Sequence, residues 1–527
     1  MNIYSSYNVS HISEHVTCIQ LTPSDAGLKI FENLEERIRK VLSDYGITTR
    51  DIGISSLATR SMPERTKDTI VIRSLDDSTE SWKMAASDIY QMVETAAASA
   101  HIEMRIEIQN PEKMYQDVSQ FVRDEATLDT MTKIQPIVKD AVMEHCPGKW
   151  TSIAYHNRGP RYGNIDQKPT VVVFITPGSI YPWEQFEERI FNVVQSARLP
   201  DEVELSVEIL PGCISPRQIM ENEDPIAYVE LNELATIPSN GASIAPSLCM
   251  KEAGSLGAVV DYHPGDKSET VKCFLTSYHV VASGDPAGRR VNDNIGIGLN
   301  GRNVDCKIDI DYPAKYDANE TKRFVTFRIA KDGDETGNDR AILKRLESIT
   351  TAGPIGHVKY ASGHQLNTAK RRMDWALVAL KTPNPGNSMQ NMLPSREKFT
   401  AQCFQGVPAY KVQPGDTISG TGDILKNTWY GKLGRTSQGT AAEYTRIKRT
   451  IAWDNGLVSD EYEFRTLHSG AQFARRGDSG SLVFNMRKEW VGMLIASDVY
   501  DETGFVTPVQ DLIKDIEDKT GGTITLV

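Results

Sequence analysis

A pattern in the first half of this chain recurs at a fixed offset of 101 residues, and it restricts what that half can fold into. Thr69 returns as Thr170, Trp82 as Trp183, Glu107 as Glu208 and Ile108 as Ile209. Around these positions the order of elements also repeats. Phe31, Leu34, Ile38, Val41, Leu42 and Tyr45 predict an amphipathic helix over 24–46, with Ser24 or Asp25 as cap and Gly46 as stop. A polar stretch with Ile52, Ile54 and Leu57 follows, then a strand at Thr69–Ile72, a helix over about 79–99 and an alternating strand at Ile102, Met104, Ile106 and Ile108. In the second copy a helix runs through Ile137, Val138, Val142 and Met143. A turn at Pro147-Gly148 leads to a strand near Ile153, a strand at Thr170–Ile175, a helix over about 182–197 and a strand at Val203, Leu205, Val207 and Ile209. The expectation is an N-terminal α+β half of two tandem α-β-β-α-β units, 1–120 and 121–212, packed as a pair.

Nothing in this half names a chemistry. It has no glycine-rich phosphate loop and no metal-ligand cluster, and His101, His145 and His156 stand apart. His156-Asn157-Arg158-Gly159-Pro160-Arg161 reads as a solvated, turn-rich loop, with anion binding as the alternative. A regulatory, substrate-recruiting or assembly module is the expectation. At 527 residues the chain exceeds one compact core. A net charge of −12 argues against a nucleic-acid partner. No apolar run reaches membrane-span length, and residues 1–7 lack a secretion signal. The seven cysteines are odd in number, scattered and never in a CxxC pair, which predicts reduced thiols in an intracellular protein with no zinc site, with disulfide pairing of some as the alternative; no cofactor is expected.

Residues 213–244 lose periodicity and carry Pro216, Pro225 and the run Pro238–Ser243, so they read as a linker. From about 245 to 527 short strands alternate with turn signals. Three stretches stand out. Gly477-Asp478-Ser479-Gly480 brackets a serine with two residues free to take unusual backbone angles, and the N–H groups of Gly477 and Ser479 can converge as an oxyanion hole. A serine needs a base and an orienting acid. His279 follows the buried strand Val271–Thr276, and Asp374 opens the apolar strand Trp375–Leu380. Asp309, Asp311 and Asp339 compete for the acid's role but lie in polar or charged stretches.

The order His279, Asp374, Ser479 resembles that of the chymotrypsin/trypsin-like serine peptidases. Leu275-Thr276-Ser277-Tyr278-His279 is similar to the family's histidine segment, Asp374-Trp375-Ala376-Leu377-Val378 to its aspartate segment and Gly477-Asp478-Ser479-Gly480-Ser481 to its serine motif. The resemblance covers 245–527 and none of the N-terminal half. It implies two six-stranded antiparallel β-barrels with the site between them, a closing helix over Val509–Thr520 and peptide-bond hydrolysis of a protein or peptide substrate. It also implies a substrate pocket involving Phe473, Ile495, Ala496 and Ser497. The residue six before the serine, acidic in trypsin-like members, is Phe473, so tryptic cleavage is not expected. His468 lies near that region. No cleavage sequence that would free an N-terminus precedes the first strand, so either Asp478 finds another partner or only its backbone matters. An insertion over about 313–365 is expected as a charged surface loop with a helix at 339–348. The alternative reading is a catalytically silent or autoinhibited barrel protein that binds or scaffolds. An α/β-hydrolase is disfavoured because it needs the order Ser, Asp, His and a second flanking glycine.

Overall fold

The computed structural model describes residues 18–527 apart from 22, 60–61, 77, 112–117, 160–166, 198–199, 201, 216–226, 228, 230–233, 235–236, 300–306, 335–336, 382–388, 394–415, 467–471 and 499–502. The chain divides into two compact units. One comprises Met1–Val122, Lys133–Trp150 and Tyr155–Gly212, and the other Arg123–Thr132, Thr151–Ala154 and Cys213–Val527.

In the first unit, β1 (Cys18–Leu21), β2 (Thr49–Thr59), β3 (Met62–Ser74) and β4 (Met104–Gln109) form a four-stranded sheet in that order. Helices α1 (Asp25–Asp44) and α2 (Trp82–Ser99) share its core. Ile30, Phe31, Leu34, Ile38 and Leu42 of α1 pack with Ile70, Ile72, Ile89 and Val93, as the helical spacing predicts. Ser24 caps α1 by accepting from Gly27 N–H at 3.0 Å, a contact worth about 1 kcal/mol in general. Asp68 accepts from Ser24 in turn, and a side chain at position 27 would collide with that carboxylate. The chain continues through β5 (Val118–Gln120), α3 (Glu125–His145), β6 (Trp150–Gly159), β7 (Lys168–Ile175), α4 (Trp183–Ser196) and β8 (Ser206–Pro211).

Two details recur at the sequence offset. Parallel β3 and β4 pair Thr69 with Arg105 through Arg73 with Gln109, while parallel β7 and β8 pair Thr170 with Ser206 through Phe174 with Leu210. Thr69 Oγ1 donates to the Lys67 carbonyl at 3.0 Å, and Thr170 Oγ1 to the Lys168 carbonyl at 2.8 Å. The segment read as a solvated loop differs from expectation. His156–Gly159 lies in β6, His156 and Arg158 are buried, and the Arg158 guanidinium bonds Glu208 at 2.9 and 3.0 Å and Ser119 Oγ at 2.8 Å. Its charge is matched internally, and Pro160-Arg161 lies outside the described residues.

The second unit holds β9 (Ile214–Ser215), β10 (Ser243–Pro246), β11 (Gly254–Ser255), β12 (Val259–His263), β13 (Val271–Ser277), α5 (Tyr278–Val281), α6 (Arg289–Ile295), β14 (Asp309–Asp311), α7 (Lys315–Asp332), α8 (Asn338–Thr351), β15 (Gly356–Ala361), β16 (Gln365–Leu366), β17 (Arg372–Met373) and β18 (Trp375–Leu380). Then come β19 (Gly420–Thr421), β20 (Trp429–Gly434), β21 (Gln438–Tyr444), β22 (Arg449–Ala452), β23 (Val458–Arg465), β24 (Leu482–Asn485), β25 (Glu489–Asp498), β26 (Thr503–Pro508), α9 (Val509–Thr520) and β27 (Thr523–Leu526).

Antiparallel pairing runs through two sets of strands, the second a closed ring. The first is the order β11, β10, β14, β15, β18, β13, β12 and β27, with β11 leading directly into β12 along the chain. The second runs β20, β21, β23, β26, β25, β24 and back to β20. Strands β13 and β18 are apolar on both faces because both are covered. Phe274, Ala376 and Val378 face one core with Ile310 and Val358, while Leu275, Trp375 and Leu377 face another with Leu482, Trp490, Leu512 and Ile516.

The insertion departs from the expected loop. Ala318, Val325 and Ile329 recur at helical spacing beneath its charges, and α7 and α8 pack through them and Ile342, Leu346 and Ile349 on the first core. Charged residues between these positions mask the stripe in the sequence. Described residues of the linker lie along these helices. Ala227 N–H donates to Asp317 at 3.1 Å, Val229 N–H to Thr321 Oγ1 at 3.1 Å, and Arg345 Nε to the Leu234 carbonyl at 2.8 Å. Asp317 is also the buried partner of Arg435, with contacts of 2.5 and 2.6 Å. Asp317→Ala would strand that guanidinium, and a loss of about 3–5 kcal/mol in urea unfolding is expected.

Candidate active site

Strand register brings the first two residues together. Antiparallel β13 and β18 pair Ser277 with Trp375, so the next residue on each side, Tyr278 and Asp374, lie opposite one another. Tyr278 N–H donates to the Asp374 carbonyl at 2.9 Å. One residue later, at the start of α5, His279 N–H donates to Asp374 Oδ1 and His279 Nδ1 to Asp374 Oδ2, both at 2.9 Å. Asp374 is buried and His279 is 15% exposed at its side chain. Burial alone would push the Asp374 carboxyl up, but the donating His279 ring, the Arg372 guanidinium and His364 outweigh it and hold it well below the ordinary carboxylate range. An ionised carboxylate only accepts, so His279 Nδ1 carries a proton and is the donor of this pair.

Ser479 sits on the loop between Phe473 and β24, and the folded backbone dictates its glycines. Gly477 and Gly480 have φ of +92° and +93°. A Cβ at Gly480 would collide with Thr276 Oγ1 and the Ser255 carbonyl, and one at Gly477 with Arg435 and Thr436. The loop thus packs against the end of β13, just before His279. Ser255 N–H donates to the Ser479 carbonyl at 2.9 Å, Ser255 Oγ to the Gly477 carbonyl at 3.1 Å, and Gly480 N–H to the Leu494 carbonyl at 2.8 Å. Thr436 Oγ1 donates to the Arg476 carbonyl at 2.8 Å. In a planar trans peptide the Gly477 N–H then points the opposite way. Among the described residues no acceptor takes the N–H of Gly477 or of Ser479. Ser479 is half-buried, and no hydrogen bond joins its Oγ to His279 among the described residues.

Asp478 finds its partner inside the fold. Its carboxylate is fully buried and meets Lys432 Nζ at 3.1 Å, Ser437 Oγ at 2.6 Å and the N–H groups of Thr436, Ser437 and Arg475 at 2.8, 3.0 and 2.8 Å. Burial pushes this carboxyl up, but Lys432 and the hydrogen bonds reverse the direction and it is lowered overall. Lys432 sits alone among Tyr430, Gly431, Leu433 and Gly434, and such an isolated cation in an apolar run is the signal that could have found it.

Sequence reasoning also missed Arg372 and His364, which lie beside Asp374. Arg372 Nη2 is 3.4 Å from Asp374 Oδ2 and 2.8 Å from His364 Nδ1. The competing acids are elsewhere engaged. Asp309 lies 3.4 Å from Lys307, Asp311 accepts from Ser247 Oγ at 2.6 Å, and Asp339 pairs with Arg328. Of the expected pocket residues, Ile495, Ala496 and Ser497 are buried on β25. Phe473 is wholly buried, stacked on Phe464 at 5.7 Å in the core of the closed ring. His468 lies outside the described residues. Among the described residues no cluster of acidic, histidine or cysteine side chains could hold a metal, and no helix is long and apolar enough to cross a membrane.

No protein-family model and no curated protein sequence matches this chain. Solved structures that match include chymotrypsin-like serine proteases, over roughly half of it. Nocardiopsis protease (NAPase) is 11% identical, covering 54% of this chain and 97% of its own, with a TM-score of 0.27. Thermobifida fusca protease A is 11% identical, covering 55% and 98%, with a TM-score of 0.28. Cellulomonas bogoriensis chymotrypsin is 12% identical, covering 55% and 98%, with a TM-score of 0.28. At these identities and scores the likeness says nothing of what this chain does.

Lys432→Met should leave Asp478 buried and unpaired, costing about 3–5 kcal/mol in urea unfolding at pH 7. A lowered carboxyl stabilises the fold in full above the ordinary aspartate value, near 3.9, and the contribution fades as pH falls through the folded value. The penalty of the variant should therefore shrink toward pH 3, which unfolding midpoints across pH will read.

Proposed function

We propose that this chain is a serine endopeptidase with a chymotrypsin-like double barrel over 245–527. The observation that carries it is the Nδ1–Oδ2 contact of 2.9 Å between His279 and a buried, ionised Asp374, set by register beside a glycine-bracketed Ser479. In this reading Ser479 Oγ attacks the scissile carbonyl as His279 Nε2 takes its proton. Asp374 fixes the tautomer and stabilises the imidazolium that forms. The N–H groups of Gly477 and Ser479 receive the negative oxygen of the tetrahedral intermediate, a contribution of about 3–4 kcal/mol per donor in related chemistry. His279 then protonates the leaving amine, and water repeats the cycle on the acyl-enzyme. The substrate is a protein or peptide, and the steps call for no cofactor. The Lys432–Asp478 pair supplies the order that a freed N-terminus would otherwise provide.

The N-terminal half is assigned here as two tandem α-β-β-α-β units, 1–120 and 121–212, that regulate access or recruit substrate. The matching pair registers and threonine contacts support their duplication. An intracellular setting belongs to the same reading, supported by the free thiols of Cys146, Cys213, Cys249 and Cys273. Burial pushes the thiols of Cys146 and Cys273 up to about 11 and about 12.

One observation favours an autoinhibited form of this enzyme. Strand β25 has β26 on one edge, where Ser497 pairs with Gly504. Its other edge carries β24, which continues from Ser479, and further along it pairs with β9. Ser215 lies opposite Ser497 and Ile214 opposite Asp498. The linker's own strand therefore lies on the nucleophile's side of β25, the strand that carries the expected pocket residues Ile495, Ala496 and Ser497. Ser479→Ala should abolish fluorophosphonate labelling and peptide hydrolysis, and labelling that survives the change sinks the assignment. Ser215→Pro removes an N–H and should loosen β9. In the autoinhibited form it raises the labelling rate of the full chain, whereas an unchanged rate leaves β9 a structural strand.

A further inference from the structure

We propose that Arg372 is a positioning residue for the reaction assigned above: it shares one oxygen of Asp374 with His279 and moderates how firmly that carboxylate holds His279 protonated during turnover. The inference rests on the peptidase reading and concerns the same site.

Arg372 and Asp374 are two residues apart on an extended segment, so their side chains leave the same face. Asp374 Oδ2 accepts His279 Nδ1 at 2.9 Å and Arg372 Nη2 at 3.4 Å. The guanidinium is held in place. It lies over the Trp453 ring at 4.0 Å from its centre, and the same Nη2 donates to His364 Nδ1 at 2.8 Å. A guanidinium has no lone pair to offer, so His364 Nδ1 is an acceptor and that ring is neutral with its proton on Nε2. Nε2 faces Asp293 Oδ1 at 3.8 Å, and Asp293 also accepts from Tyr278 OH at 2.7 Å and Arg289 Nε at 2.8 Å. Burial keeps the His364 ring at about 4, so above pH 5 it adds no charge.

The charged groups around this point come from several elements. His279 faces Asp374 from α5, and His364 from the turn before β16. Around Arg372 lie Asp374, Glu461 of β23, Asp454 beyond β22 and Asp293 of α6. Glu461 Oε1 accepts the Arg372 backbone N–H at 3.0 Å. Arg372 is buried, and its Nε finds no hydrogen-bond partner among the described residues. Here the compensation is the charge of its neighbours, and the carboxylate it touches is the one that supports His279. A fixed positive charge on Asp374 Oδ2 offsets part of the field that favours imidazolium, so His279 releases its proton more readily.

The test is the pH dependence of kcat/KM for the full chain on a peptide substrate, with fluorophosphonate titration to count competent sites. Arg372→Gln keeps a donor but removes the charge, and the acid limb should move to higher pH by about one unit. Arg372→Lys keeps the charge, and its limb should stay with the wild type even if its plateau falls. If Arg372→Gln does not fold, Arg372→Met is the charge-free alternative that still packs on Trp453, with the same shift expected. An active variant without the charge whose limb coincides with the wild type, whatever its plateau, overturns the proposal. A wild-type chain that hydrolyses no peptide and takes no probe overturns the peptidase reading, and this inference with it.

Discussion

The register between β13 and β18 is the constraint on which the rest of the candidate site depends. Residues 95 positions apart meet because Ser277 lies opposite Trp375, and the same pairing extends through Cys273 and Ala379. A slip of one residue would turn every side chain of one strand to the other face. Trp375 would leave the core it shares with Leu512 and Ile516, and Asp374 would point away from His279. The register is held against such a slip by burial of both faces and by the Trp375 Nε1 bond to Asp515 of α9 at 2.8 Å. Packing energy that looks remote from chemistry is therefore what fixes the orientation of the imidazole.

Buried ion pairs do the corresponding work around the serine. Lys432 with Asp478 and Arg435 with Asp317 have side chains that are 0% exposed. Such pairs add little net stability over apolar packing, but breaking one leaves a charge without solvent. They allow few alternatives for the loop and the hairpin β20–β21. Arg435 extends the arrangement, since Asp317 also accepts from the linker at Ala227 and from Ser243 Oγ at 2.5 Å. The serine loop, the α7 insertion and the linker thus share one set of charges.

Much of this is legible in the sequence. Helical spacing gave α1, α2, α4 and α9, since each buries one stripe. His279, Asp374 and the Ser479 turn stood out because each residue type sat at a strand end or between glycines. The rest was hidden for identifiable reasons. The α7 stripe of Ala318, Val325 and Ile329 is narrow and its charged neighbours drown it. His156 and Arg158 read as surface because their partners, Ser119 and Glu208, are distant in sequence. Arg372 and His364 carry no local mark of proximity to Asp374, and Lys432 could be matched to Asp478 only once the hairpin was folded.

Strand β27 gives the second unit a particular history during synthesis. Val260–His263 of β12 pair with Thr523–Leu526, a partner made about 260 residues later, and contacts so far apart in sequence form slowly. A growing chain emerging from the ribosome would carry His279 and Asp374 long before β12 has its second neighbour or Trp375 has Asp515. His279 and Asp374 of a nascent molecule would thus wait in an unfinished sheet, and a chain halted midway would hold the parts of the candidate site without the frame that aligns them.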